Sequence, residues 1–163
     1  MWFYVDPTDI RYTERSPYQI RNEARLAVPP DRAFEIVALD EGAPEWFKDF
    51  VACRFTSEPP YGVGTTRDIE LKILTVKERF VAWEPGKRLS FCIYASTLPI
   101  VSEMLEDMRF EPTGDGGTRF SWDVHYTPTN LMQPRLIHGI ARKVFEGMFR
   151  DTLEGLKRYT ARR

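Results

Sequence analysis

The chain has 163 residues, with 23 Lys or Arg against 24 Asp or Glu and a formal net charge of -1. That length is expected to form one ordinary domain, and 42% apolar with 29% charged residues excludes wholesale disorder and a coiled coil. The longest stretch without a formal charge, Leu89 to Ser102, is fourteen residues and contains Pro99, too short for a membrane-spanning helix of about 20. Near-neutral charge without a basic block argues against a nucleic-acid partner.

Residues 1–17 place Trp2, Phe3, Tyr4 and Tyr12 among charges and prolines, without a period that survives Pro7. This reads as an irregular N-terminal arm. It lacks the basic start and apolar run of a secretory signal, so the expected location is cytoplasmic. Large apolar groups are unfavourable in water. The arm is therefore expected either to pack on the convex face of its own subunit or to cross to a twofold partner. Exchange, giving a homodimer, is the expectation adopted, because twofold dimers are the commonest closed oligomers.

Residues 18–163 are expected to form a single ligand-binding domain. Tyr18 to Val28 alternates apolar and polar residues, which predicts a half-buried strand stopped by Pro29-Pro30. Pro30 and Asp31 open a helix carrying Ala33, Phe34, Val37 and Ala38, expected to end near Gly42. A second short helix, from Pro44 to about Phe50, would bring together Trp46, Phe47 and Phe50. Six strand-like runs follow, at about 51–58, 64–73, 75–84, 88–97, 101–111 and 118–127. Turn residues such as Pro85-Gly86 and Gly116-Gly117 separate them, so the whole is an antiparallel meander of seven strands. The apolar parity of Leu89, Phe91, Ile93 and Ala95, of Met104, Met108 and Phe110, and of Phe120, Trp122, Val124 and Tyr126 assigns one face to burial. After Pro134, the stripe Ile137, Ala141, Val144, Phe145, Met148, Thr152, Leu156 and Tyr159 predicts a helix of more than six turns that covers this face.

The order strand, two short helices, six-strand meander and long C-terminal helix resembles the helix-grip fold of the START-like, or birch-pollen-allergen-like, superfamily. Residues Val28 to Phe34 resemble the family's entry to the first helix, and Trp46 resembles the tryptophan of the second. Tyr61-Gly62-Val63-Gly64-Thr65-Thr66-Arg67 resembles its Gly-x-Gly turn, and Glu78 with Trp83 to Leu89 its hairpin after strand four. Gly116-Gly117-Thr118-Arg119 with Trp122 completes the set. Within the superfamily the chain is most similar to the polyketide cyclase/dehydrase and lipid-transport branch. The resemblance implies an α+β fold in which a seven-stranded curved sheet wraps the C-terminal helix. It also implies a small hydrophobic or aromatic ligand between sheet and helix, lipid or polyketide-like. Two alternatives stay open, a polyketide aromatase/cyclase and an interaction module like the chaperone activators.

The proposed lining is Trp46, Phe91, Ile93, Met104, Glu106, Met108, Trp122, Val124, His138, Ala141, Phe145 and Met148. Glu106 shares the parity of Met104 and Met108, so its carboxylate points inward unless a bulge turns it out. Arg67, or Arg109 if parity shifts, is its expected partner. Arg67, Glu106 and His138 are the candidate catalytic groups. His138 lies at the edge of the helical stripe, whereas His125 takes the parity of Ser121 and Asp123 and reads as solvated. Tyr94 is a nominal counterpart of cavity hydroxyls in related cyclases, but its parity opposes Phe91. Cys53 and Cys92 match no metal or redox spacing and are expected to be free thiols. No cofactor or metal motif is present in the sequence.

Overall fold

The computed structural model describes residues 1–163. The arm contributes a two-residue strand β1 (Phe3–Tyr4) and a single 3-10 turn over Ile10–Glu14. Strand β2 (Tyr18–Leu26), helix α1 (Pro30–Ala38) and helix α2 (Ala43–Trp46) follow. The meander comprises β3 (Phe50–Phe55), β4 (Thr66–Leu71), β5 (Thr75–Glu84), β6 (Arg88–Ser96), β7 (Val101–Pro112) and β8 (Thr118–Pro128), and α3 (Arg135–Thr160) ends the chain. The strands form one antiparallel sheet in the order β2-β8-β7-β6-β5-β4-β3, with β1 paired to β6. No helix is long and apolar enough to cross a membrane.

Both short helices are shorter than their sequence patterns suggest. After α1, Asp40 and Gly42 take left-handed backbone at φ 52° and 63°, which ends the helix before Gly42. After α2, Phe47 turns extended at φ -112°, ψ 94° and leads into β3. The core is filled at the end of the sheet where α1 packs. There Phe34 meets Trp83 and Phe110 with ring centroids 5.6 and 5.5 Å apart, and Phe110 meets Phe120 at 5.1 Å. Phe80, Leu89, Phe120, Leu26 and Leu156 are fully buried in this block.

The two halves of α3 differ. From Phe149 onward it buries Phe149, Thr152, Leu153, Gly155, Leu156, Tyr159 and Thr160, whereas residues 135–148 contain no buried side chain. Ile137 and Val144, assigned to the buried stripe from their spacing, are 46% and 55% exposed. The spacing identifies apolar positions, but the side of the first turns that faces the sheet carries His138, Ala141 and Phe145 rather than these two. Gly155 is where α3 meets α2, and a Cβ there would stand 2.9 Å from the Trp46 carbonyl carbon and overlap its oxygen.

The arm corrects the expected exchange. Strands β6 and β7 pair between Arg88–Cys92 and Leu105–Arg109 and then diverge. The arm fills the resulting slot of its own sheet, with Phe3 opposite Ser96 and Tyr4 opposite Ala95. Val5 N donates to Tyr94 O at 3.1 Å and Asp6 N to Ser102 O at 2.8 Å, so one segment ties both strands. Farther along, Tyr12 is wholly buried on the convex face and its hydroxyl is hydrogen-bonded to Thr127 Oγ1 at 2.7 Å. Tyr12, Leu105, Cys92 and Ala95 are buried but lie outside the main core, in a satellite under the arm. His125 belongs to this layer. It is 4% exposed rather than solvated, with Nδ1 2.8 Å from Ser16 Oγ.

Candidate functional site

Between the concave sheet and the first half of α3 lies a cavity of about 100 Å3, lined chiefly by apolar and aromatic side chains. All twelve residues selected from the sequence line it. Strands β6–β8 contribute Phe91, Ile93, Met104, Glu106, Met108, Trp122 and Val124, and α3 contributes His138, Ala141, Phe145 and Met148. Trp46 arrives from α2, anchored by its Nε1 donating to Glu41 O at 2.8 Å.

Strand alternation places Glu106 on the concave face, where it is 6% exposed. Trp122 Nε1 donates to its Oε2 at 2.6 Å. Burial raises its pKa to about 8, the nearby Glu78 adds to the rise, and the Trp122 bond and Arg67 oppose it. At neutral pH this carboxyl is therefore largely protonated and able to donate.

Arg67 also lines the cavity, but neither it nor Arg109 is hydrogen-bonded to Glu106. Its Nε donates to Glu78 Oε2 at 2.6 Å, and its Nη1 to Asp40 Oδ2 at 2.7 Å and to Ala38 O at 3.3 Å. The guanidinium carbon sits 4.8 Å from the Phe80 ring centroid and 5.3 Å from that of Phe91. Burial alone would lower the guanidinium pKa, but the two carboxylates more than offset it and hold Arg67 charged. Burial raises both Asp40 and Glu78 against the pull of Arg67. Arg109 is on the convex side, 3.6 Å from Asp107. Tyr94 also lies there beside Arg79, outside the lining.

Asp40 and Glu78 are the site residues that sequence reasoning overlooked. Glu78 was readable, because it alternates inward with Val76 and Phe80. Asp40 was not, since it reaches Arg67 only through the left-handed turn after α1. Cys53 neighbours this cluster; burial first, then Asp40, pushes its thiol far above the ordinary range and disfavours the thiolate. Both cysteines are free.

A second polar group closes the α3 end. His138 Nε2 is 2.9 Å from the Tyr126 hydroxyl, and the His138 and Tyr18 rings are 4.3 Å apart. Arg142 bridges helix and sheet, donating from Nη2 to Gln19 O at 2.8 Å and from Nε to Glu146 Oε1 at 2.7 Å.

The chain is 32% identical over 152 residues to uncharacterized proteins of Mycobacterium tuberculosis and Mycobacterium bovis, covering 93% of this chain and 89% of theirs. Among solved structures, the Zhui aromatase/cyclase of a Streptomyces species superposes with a TM-score of 0.75 at 16% identity, over 90% of this chain and 94% of that one. A START superfamily protein of Mycobacterium smegmatis gives 0.69 at 10% identity, over 88% and 97%. These structural likenesses establish the helix-grip fold. Residues 18–161 match the family described as polyketide cyclase/dehydrase and lipid transport, and the chain belongs to that family.

Proposed function

We propose that the protein binds a small apolar or aromatic molecule in the cavity between its concave sheet and α3. The observation that carries this reading is an apolar space holding a few polar groups, at the point where sheet and helix fail to pack. A fully filled helix-grip core would leave residues 135–148 seated as closely as residues 149–160. Its about 100 Å3 suits a compact ring without rearrangement. A longer lipid requires the half-exposed end of α3 to lift. Membership of a cyclase and lipid-transport family supports a ligand-binding role of this kind.

The test uses the intrinsic fluorescence of Trp46 and Trp122, both in the lining. Adding compact aromatic and aliphatic compounds should shift the emission saturably, and Trp122→Leu should alter that response. A panel that leaves wild-type emission unchanged refutes the reading.

Catalysis of polyketide cyclisation is the second reading, favoured by one observation: a buried carboxyl that is largely protonated near neutral pH in the same cavity as a guanidinium. Glu106 would donate a proton to a carbonyl that Arg67 orients. Unchanged turnover of a poly-β-ketone by Glu106→Gln would reject this assignment. An interaction module is less well supported, because the arm covers Leu105, Cys92 and Ala95 on the convex face.

A further inference from the structure

The charges in the cavity wall do not balance. Asp40, Glu78 and Glu106 line it against Arg67, and Arg67 already contacts Asp40 and Glu78. At the other end Arg142 is paired with Glu146, and His138 is engaged by Tyr126. Glu106 is thus a third carboxyl without a cation of its own.

Its hydrogen bonding points the same way. Oε2 accepts from Trp122, whereas Oε1 makes no hydrogen bond within the protein. No fully buried side-chain oxygen or nitrogen lacks a partner. Since Glu106 as a residue is 94% removed from solvent and lines the cavity, Oε1 opens into that space. The rings of Trp122, Phe145 and Phe149 border the same space. Aromatic faces attract a desolvated cation, as a carboxylate does.

Resting on the reading of this cavity as the binding site, we propose that its ligand is an apolar molecule bearing a protonated amine, whose ammonium group pairs with Glu106 Oε1. Binding releases any proton held by that carboxyl to solvent, so an ammonium–carboxylate pair replaces a neutral acid. A ligand carboxylate would instead add a negative charge beside three acidic side chains and is selected against. Fatty acids should therefore bind most weakly, and a neutral alcohol of the same skeleton should fall between the two.

A matched series of 4-phenylbutylamine, 4-phenylbutanol and 4-phenylbutanoate tests this at pH 8, by calorimetry and by the Trp122 indole N–H resonance, which reports on its bond to Glu106. The amine should bind at least about tenfold more tightly than the alcohol, with the carboxylate weakest. In Glu106→Gln the preference for the amine over the alcohol should be lost. A carboxylate that binds as tightly as the amine, or an amine preference that survives Glu106→Gln, overturns the proposal and leaves apolar-ligand binding intact. Failure of all three compounds to bind overturns both. The comparison among ligands on the wild-type protein stands without the variant.

Discussion

Replacing Glu106 with Gln should make the protein more stable, increasingly so as the pH rises. The carboxyl titrates at about 8 in the folded protein against an ordinary 4.5, so the folded state holds a proton that the unfolded chain releases. A raised carboxyl pKa favours folding least at high pH: its penalty is absent below pH 4.5, grows between 4.5 and 8, and is constant above. At 1.36 kcal/mol per pH unit the penalty is about 3 kcal/mol at pH 7 and about 5 kcal/mol above pH 8. Gln cannot ionise, and its amide oxygen can still accept from Trp122 Nε1. Urea unfolding of both proteins from pH 5 to 8.5 should therefore show a stability difference that starts below about 1 kcal/mol, widens by roughly 1.4 kcal/mol per unit and levels off near pH 8. Any fixed packing difference moves every point equally, so the slope is diagnostic. A difference that does not change with pH, or a variant that is the weaker protein at pH 8.5, refutes the buried and protonated state of this group.

Arg67→Met should destabilise by about 3–5 kcal/mol, because it leaves Asp40 and Glu78 buried without their cation; the loss should be smaller at pH 5 than at pH 8 in urea titrations, since protonation relieves both acids. Gly155→Ala should cost about 2 kcal/mol by driving a methyl group into the Trp46 carbonyl, whereas Gly139→Ala, with nothing within 4 Å of its added Cβ, should stabilise by about 0.8 kcal/mol in thermal melts. Deleting residues 1–15 should lower the melting temperature by uncovering Leu105 and Cys92 but leave the number of subunits in the particle unchanged; a change of oligomeric state by sedimentation would contradict an arm seated on its own sheet. Amide hydrogen exchange should be at least about tenfold faster over residues 135–147 than over 149–160, and equal protection would contradict a loosely held first half of α3.

The strands and the cavity wall were legible because alternation is local. Phe91, Ile93, Met104, Glu106, Met108, Trp122 and Val124 each needed only their own strand's parity, and the bulges in β5–β7 do not fall between these residues in a way that reverses it. What escaped depends on distant chain segments. Arg67 chose Asp40, 27 residues away, over Glu106 because the turn after α1 carries that carboxylate to the edge of the sheet. His125 obeyed its parity and points to the convex face, yet it is buried because Ser16 of the arm lies on it. The arm found a place because β6 and β7 separate beyond Cys92, a divergence that neither strand's own pattern records. Helical spacing likewise marked Ile137 and Val144 as apolar without revealing that both stay about half exposed.

Arg67, Glu78 and Glu106 belong to neighbouring rows of the concave face, joined through the registers Arg67–Glu78, Glu78–Ile93 and Phe91–Glu106. On one side of this polar line Phe80, Leu89, Phe110 and Phe120 close the core against α1, and none of them lines the cavity. On the other side Ile69, Val76, Met104 and Tyr126 face the cavity beneath α3. The ionisable groups therefore sit where packing stops. Buried among the aromatic rings, the uncompensated Glu106 would face only groups that cannot pair with it. At the floor of a cavity the same carboxyl can instead exchange its proton for the ammonium group proposed above, so the residue that weakens the fold at neutral pH is the one on which that proposal rests.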